Sequence, residues 1–323
     1  MRARVSGIEP PVAMPLCQIA LSVCDLDRTH AWYREVLGML GAGDQRRRGG
    51  PDFARVSGLP DVDFSVWCLV DQQAWFQFEV LHFHRPPMRP QRPDWRASDI
   101  GYSMIGFHTV DLDATIARLG AAGVPSMSAP IGRAGDRRVF VRDPEGVLLE
   151  LRERDIRHPG STPRPRPEVP VATRSITLSV PDLSRARRFW VDALGLEVAD
   201  IALHDDRDLS AWGLDGARPE SLVLWAGDFV IELMQYRDPP ARPWPPDYRL
   251  SDQGIFNVGL GSTDKAAFDA VHARVVAAGY RGLSDPFTVP GIATVVYLTD
   301  DQGFSVELLH VEPIALGRMG FEP

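Results

Sequence analysis

The sequence has almost no lysine and almost no asparagine: Lys265 and Asn257 are the only examples in 323 residues. Lysine and arginine together number 35 against 43 aspartate and glutamate residues, which gives a net charge of −8. Binding to nucleic acid or to an anionic membrane requires clustered positive charge, so this balance argues against both as the main partner. This balance is compatible with a small-molecule substrate or ligand as the partner.

Cysteine is scarce as well, and long apolar runs are absent. Cys17, Cys24 and Cys68 form an odd set without a CxxC pair, a pattern that fits a reducing cytoplasm. Segment 1–16 contains no apolar run long enough for a signal peptide or a membrane span. We expect a cytoplasmic protein, and the sequence leaves open whether it is a monomer or a homodimer.

The sequence does contain an internal duplication. Residues 93–101 (PDWRASDIG) and 246–254 (PDYRLSDQG) share six of nine residues at a spacing of 153. Three further pairs lie at an offset of 153 or 157: QIALSVCDL with SITLSVPDL, FQFEVLHFHRPP with FVIELMQYRDPP, and RDPEGVLLEL with TDDQGFSVEL. A nearly constant offset indicates two copies of one domain. We predict domains at 1–153 and 173–323, joined by a Pro/Arg-rich linker at 154–172.

Each half repeats again, more weakly. Segments 104–112 (MIGFHTVDL) and 257–264 (NVGLGSTD) have the same apolar-then-acidic pattern as the opening strands, and a helical pattern follows each. Short apolar runs bounded by Gly, Pro and Asp then predict further strands. The expected fold class is α+β, with four βαβββ modules paired into two tandem domains.

This pattern resembles the vicinal oxygen chelate superfamily, which includes glyoxalase I, bleomycin-resistance proteins and extradiol dioxygenases. The motifs that carry the resemblance are QIALSVCDLDRTHAWYREVLG, RDPEGVLLEL, SITLSVPDLSRARRFWVDALGLEV and DDQGFSVELLHV. The resemblance covers residues 16–153 and 173–312, nearly the whole chain. It implies a glyoxalase-like fold, in which each pair of modules forms a cup-shaped mixed sheet with the metal and the substrate inside.

The resemblance also implies where the sites lie. In that family the metal ligands are the first residue of the opening strand motif, usually His, and the Glu of the last strand. Carried over, these positions predict a first cup with Gln18, Glu79, Met104 and Glu150, and a second cup with Ser175, Glu232, Asn257 and Glu307. No opening position is His, so a ring-cleaving Fe(II) dioxygenase, which needs two His and one carboxylate, is disfavoured.

The four glutamates are the predicted catalytic residues: Glu150, Glu79, Glu307 and Glu232. Each alternates with apolar neighbours along its strand, so its side chain is expected to face the cup. Two carboxylates in one cup repel each other, and one pKa should rise toward neutrality, as a general acid or base requires. The predicted substrate-binding residues are Gln18, Met104, His108, Ser175 and Asn257.

Three functions remain open from the sequence. The first is an enzyme that carries out acid/base chemistry (dehydration, isomerisation or cyclisation) on an oxygenated aromatic or polyketide-like molecule, without the usual metal. The second is a drug-binding protein like the bleomycin-resistance relatives, and the third is a metal-dependent lyase or epimerase with atypical ligands. No cofactor is expected; if a divalent metal binds, its predicted ligands are Gln18, Glu79 and Glu150.

Overall fold

The computed structural model describes residues 13–158, 161 and 166–321, so part of the predicted linker lies outside the described residues. No helix within these ranges has both the length and the apolar character needed to cross a membrane. The helices and strands fall into the four modules expected from the repeats. The expectation of an α+β fold built from four modules is therefore confirmed.

The modules have the following bounds. Module 1 contains β1 (Leu16–Ser22), α1 (Leu26–Glu35), β2 (Leu40–Gly49), α2 (Pro51–Ser57), β3 (Asp63–Val70) and β4 (Gln77–Arg85). Module 2 contains β5 (Gly101–Thr109), α3 (Leu112–Ala121), β6 (Arg138–Arg142) and β7 (Leu148–Arg152). Module 3 contains β8 (Val171–Ser179), α4 (Leu183–Arg187), a π-helix (Arg188–Ala193), β9 (Glu197–Val198), α5 (Asp206–Ala211), β10 (Glu220–Ala226) and β11 (Phe229–Gln235). Module 4 contains β12 (Gly254–Ser262), α6 (Lys265–Ala277), β13 (Arg281–Gly282), β14 (Phe287–Val289), β15 (Ala293–Thr299), β16 (Ser305–Val311) and a 3-10 helix (Pro313–Met319).

An aspartate begins the helix that follows the opening strand of every module. The side chain of Asp25 accepts a hydrogen bond from the backbone N–H of Arg28, which satisfies a free donor in the first turn of α1. Asp111, Asp182 and Asp264 cap α3, α4 and α6 in the same way. The repeated strand–Asp–helix motif of the sequence is therefore a helix-capping signal.

The strands form two mixed sheets. Sheet 1 has the order β13–β15–β16–β12–β1–β4–β3–β2, with β14 paired to β15, and combines modules 1 and 4. Sheet 2 has the order β6–β7–β5–β8–β11–β10–β9 and combines modules 2 and 3. In each sheet two opening strands pair antiparallel at the centre, β1 with β12 and β5 with β8. Each sheet therefore takes one module from each half of the sequence.

This pairing corrects the expected grouping of the site residues, because modules of the same half were predicted to form one cup. The four opening strands have similar apolar patterns, so their sequences do not specify which two meet. The domain boundaries at 1–153 and 173–323 describe the two sequence repeats and stay a prediction. Each sheet combines strands from both repeats. The positions implied for each cup must accordingly be regrouped.

Two crossing segments, 86–100 and 236–253, explain how the chain passes between the sheets. Arg89 of the first segment pairs with Asp252 of the second, and Arg242 of the second pairs with Asp99 of the first. Asp99 also accepts the backbone N–H of Arg96. Reciprocal ion pairs of this kind fix both segments against each other, so the repeated PD-[WY]-R-x-SD motif has a structural role.

One apolar core takes in α1, α3, α4, the π-helix and α6, together with one face of both sheets. Tyr33 of α1 and Trp190 of the π-helix are fully buried in it, together with Ile19 of sheet 1 and Ile105 of sheet 2. Successive residues of a strand point to opposite faces. The residues that alternate with Ile19 and Ile105 therefore point away from this core, on the faces where the predicted sites lie.

Candidate functional site

Each sheet has an outer face, and the outer face of sheet 1 borders a large cavity. We call the outer face of sheet 1 cup A, defined by Gln18, Glu79, Asn257 and Glu307; it borders a cavity of about 880 Å³. We call the outer face of sheet 2 cup B, defined by Met104, Glu150, Ser175 and Glu232. A volume of this size is typical of a site for a drug-sized molecule.

A glycine brings two residues of cup A together. Gln18 on β1 lies opposite Gly259 on β12, which in turn lies beside Glu307 on β16. A Cβ atom at Gly259 would stand 2.8 Å from the side-chain oxygen of Gln18. Because glycine lacks this atom, the amide of Gln18 can lie over the backbone between β1 and β16.

The second row of cup A centres on Ala20 of β1. Its neighbours on the adjacent strands are Glu79 of β4 and Asn257 of β12, so both side chains share the face of Gln18. Cys68 of β3 lies opposite Glu79, with its sulfur 3.9 Å from a carboxylate oxygen. The structure therefore brings together four predicted residues that the sequence had divided between two cups.

The two carboxylates of cup A have no cationic partner among the described residues. Burial raises the pKa of Glu79 to about 7, although hydrogen bonds from Cys68 and Gln18 oppose the shift. Burial also raises the pKa of Glu307 well above its usual value, and the charge of Glu79 raises it further. Because no positive charge offsets the two carboxylates, one of the two carboxyls holds a proton near neutral pH.

Amide and phenol groups complete the polar part of cup A. Among the described residues, the side-chain oxygens of Gln18 and Asn257 are buried without a hydrogen-bond partner; Gln18 lines the cavity, and Asn257 lies behind its lining. Tyr297 lies opposite Glu307, and burial together with the charges of Glu307 and Glu79 raises its pKa well above the usual value. Polar atoms left without partners at a cavity are available to a ligand.

The rest of the cavity wall is mostly apolar. Its aromatic residues are all phenylalanines apart from the tyrosine: Phe53, Phe64, Phe83, Phe256, Phe287 and Tyr297. Aliphatic side chains from β3, β4, β15 and β16 fill the space between them, including Val66, Leu81, Val295 and Leu309. The cavity therefore offers a large apolar volume above a small polar floor, as small-molecule sites commonly do.

A histidine that the sequence analysis did not single out occupies cup B. The side chain of His204, which precedes α5, is fully buried. Its Nδ1 atom lies 2.6 Å from Glu232, and its Nε2 atom lies 3.4 Å from Glu150. Burial acts to lower the pKa of His204, but the charges of Glu232 and Glu150 outweigh burial and raise it to about 9.

An arginine neutralises the second carboxylate of cup B. Arg152 follows Glu150 by two residues on β7, and its guanidinium donates to Glu150 from Nε and Nη2. Burial acts to raise the pKa of Glu150, but Arg152 and His204 hold it at about 2. Glu150 and Glu232 therefore sit in an internal ion-pair network, whereas Glu79 and Glu307 do not.

Apolar side chains fill the remainder of cup B. Met104 is buried in a cluster with Phe140 and Trp212, and Trp212 also contacts the ring of His204 edge-on. Ser175 is buried beside Gly106, where an added Cβ would lie 2.1 Å from the serine oxygen. The segment around α5 thus packs into the cup that the sequence alone left open.

The remaining predicted site residues are distributed as follows. His108 is buried on β5 opposite Arg152, on the cup B face.

Glu150 cannot share a metal site with Gln18 and Glu79, because it lies in sheet 2 and they lie in sheet 1. The conditional ligand set of Gln18, Glu79 and Glu150 is thus divided between the two sheets, and Glu307 is the second glutamate of cup A. The repeated motifs do not cover the segment of His204, so the sequence gives no signal for it. Arg152 follows Glu150 by two residues on a strand, and this spacing predicts that both side chains share one face.

Comparisons with known proteins fit this architecture. The family model described as "Glyoxalase/Bleomycin resistance protein/Dioxygenase superfamily" matches residues 16–151 and 173–308. Glyoxalase I from Zea mays is similar in structure at 19% identity, with 92% of each chain covered and a TM-score of 0.62. A proposed dioxygenase from Bacillus subtilis is similar at 14% identity, over 94% of this chain and 87% of that chain, with a TM-score of 0.63. No curated protein matches the sequence. At these identities the structural likeness shows the fold alone.

Proposed function

Because this chain belongs to the Glyoxalase/Bleomycin resistance protein/Dioxygenase superfamily, we propose that it is an enzyme with its active site in cup A. The reaction is proton transfer on an oxygenated small molecule, with Glu79 and Glu307 as the acid/base pair. Dehydration, isomerisation and cyclisation of an aromatic or polyketide-like substrate all proceed through such steps. Cup B, with its filled interior, takes a structural role in this proposal.

One observation carries the proposal: two carboxylates without a counter-ion, Glu307 buried and Glu79 half-buried, face one cavity. Uncompensated buried charge is costly, and folded proteins retain it chiefly at functional sites. Cup B provides the internal comparison, since its two equivalent glutamates are compensated by Arg152 and His204. The difference between the cups supports a chemical use for Glu79 and Glu307.

In this proposal each group of cup A has one role. The ionised member of the pair removes a proton from the carbon next to a substrate carbonyl, and the protonated member returns a proton at a neighbouring atom. The hydroxyl of Tyr297, which lines the cavity, can donate a hydrogen bond to the oxygen on which negative charge develops. The apolar wall limits the access of water to the floor and strengthens these interactions.

A second candidate adds a divalent cation to the same site. Within residues 13–158, 161 and 166–321, no group of three or more His, Cys, Asp or Glu could hold a metal ion. The two carboxylates and the unpartnered amide oxygens of Gln18 and Asn257 nevertheless form a set of oxygen donors, which fits Mg²⁺ or Mn²⁺. When bound, a cation would stabilise negative charge on the substrate oxygen.

Exchange of hydrogen for deuterium tests the proposal without knowledge of the natural substrate. Hexanophenone and 6-oxo-6-phenylhexanoate carry protons next to a ketone, and incubation in D₂O with the purified protein reports their removal by NMR. We expect exchange faster than in buffer. A probe that binds without exchange would support the drug-binding alternative and contradict an enzymatic role.

A further inference from the structure

Two arginines on one strand face the cavity of cup A near its mouth. Arg46 and Arg48 of β2 lie opposite Val66 and Phe64 of β3, and all four residues line the cavity. The residue between them, Arg47, points to the other side of the sheet. The strand therefore presents a pair of positive charges to the cavity and a single one to the outside.

The three arginines differ in their partners. Arg47 forms a two-point ion pair with Asp63, at 2.8 Å and 2.6 Å. Arg46 donates only to the backbone carbonyl of Arg318 and Arg48 only to that of Arg47, so neither pairs with a carboxylate in the described part of the chain.

Other charged residues, both positive and negative, also line the mouth of the cavity. Arg318 lines it from the 3-10 helix, and Asp44 and Asp52 line it as well. Asp52 is already paired with Arg55 at 3.1 Å. Three arginines therefore face one uncompensated aspartate, and the mouth is a positive patch on a protein whose net charge is −8.

The distance between the patch and the floor defines the length of a ligand. Val66 and Phe64, which lie opposite Arg46 and Arg48, are two and four strand residues from Cys68, which lies opposite Glu79. At about 3.3 Å per residue, the backbone of the two arginines lies about 7 Å and about 13 Å along the sheet from the floor. The field of both arginines reaches this depth, since Arg46 and Arg48 oppose the burial that raises the pKa of Cys68.

We propose that cup A binds an elongated acid with three parts: a carboxylate at Arg46 and Arg48, an apolar body along the phenylalanines, and an oxygenated group at Glu79 and Glu307. The orientation follows from charge, because the carboxylates of the floor repel an anion and the guanidinium groups of the mouth attract it. Arginine is well suited to this role, since its planar fork matches a carboxylate. This inference rests on the proposed function, in that it places the reacting group at the floor.

Calorimetric titration with 6-oxo-6-phenylhexanoate and with its neutral primary amide tests the substrate class. The wild-type protein should bind the acid about tenfold more tightly than the amide, because charge-assisted hydrogen bonds add to its affinity. The double variant Arg46→Gln/Arg48→Gln should lose this preference while its affinity for the amide stays unchanged. Arg47→Gln is the matched control, since it removes a charge from the same strand but not from the cavity.

Equal affinity for the acid and the amide in the wild-type protein, including no binding of either, would overturn the substrate class. A loss of preference in Arg47→Gln as large as in the double variant would do the same, because it would show a general charge effect. These outcomes are separable from failure of the proposed function. Glu79→Gln should keep the preference for the acid while losing exchange next to the ketone.

Discussion

The charge of Glu79 on β4 adds to burial in raising the pKa of Glu307 on β16, although β1 and β12 lie between their strands. The interaction joins module 1 to module 4, and so the two ends of the chain. Both carboxyls line the same cavity, Glu307 buried and Glu79 half-buried, without an arginine, lysine or histidine beside either in the described structure. This relationship separates cup A from cup B and underlies the proposed chemistry.

The first prediction concerns this coupling. Glu79→Gln should lower the pKa of Glu307, because it removes a nearby negative charge and leaves burial as the main cause of the shift. Titration of protein labelled with ¹³C at the glutamate carboxyls measures the change by NMR. In the wild-type protein one glutamate should titrate near 7, the value expected for Glu79. A Glu307 signal that does not move in the variant would show that the two carboxyls are independent.

His204 gives a prediction about stability. Its pKa is raised from 6.5 to about 9 in the folded state. Its stabilising contribution is therefore complete below pH 6.5 and is lost as the pH rises through 9. His204→Gln should lower the free energy of unfolding by about 3 kcal/mol near pH 6, since it leaves a buried carboxylate unpaired, and by less near pH 10.

Urea denaturation across this pH range is the measurement, and His272→Gln on the half-buried face of α6 is the control. The control should follow the wild-type curve at every pH. If His204→Gln loses as much stability near pH 10 as near pH 6, the loss is due to packing and not to the charged imidazole.

The pairing of modules across the halves can be tested by cutting the chain. A protease site inserted in the linker at 154–172 would divide the protein into its two sequence halves. Because β1 pairs with β12 and β5 with β8, both sheets cross the cut, and the fragments should elute together in size-exclusion chromatography. Fragments that separate without denaturant would mean that each half forms its own sheet.

The second candidate function predicts binding of Mn²⁺ in cup A. Titration followed by electron paramagnetic resonance should show one bound ion per chain at pH 8, and weaker binding at pH 6, because ligation requires deprotonated carboxylates. Glu307→Gln should abolish binding and Glu150→Gln should leave it unchanged. Binding that persists in Glu307→Gln would exclude this donor set, and the acid/base pair would then act alone.

The sequence was sufficient to predict the fold and the strand positions of all four glutamates. The repeated motifs and the Asp-capped helices depend on residues that are close together in the sequence. Each module retains them, so they can be recognised without the structure. Which modules pair depends on contacts between distant strands with similar patterns, such as Ala20 with Asn257. Hydrophobic periodicity carries no information about which strands pair, so the sequence predicts the wrong neighbouring strands for Asn257.

The difference between the two cups was also beyond the sequence analysis. It depends on Arg152 and His204, and only the first lies on a recognisable strand next to a predicted glutamate. His204 comes from the segment between β9 and β10, which contains α5 just as the segment between β2 and β3 contains α2. The two segments share the helix, but none of the repeated sequence motifs covers them, and only the folded chain shows that His204 lies in cup B.

The rate of deuterium exchange in cup A variants is the most direct test of the central claim. Glu79→Gln and Glu307→Gln should each slow exchange next to the ketone of hexanophenone by about a hundredfold, the usual contribution of a general acid or base. Glu150→Gln should exchange at the wild-type rate, because its carboxyl belongs to the ion-pair network of cup B. Wild-type exchange in both cup A variants would contradict the assignment of Glu79 and Glu307 as the acid/base pair.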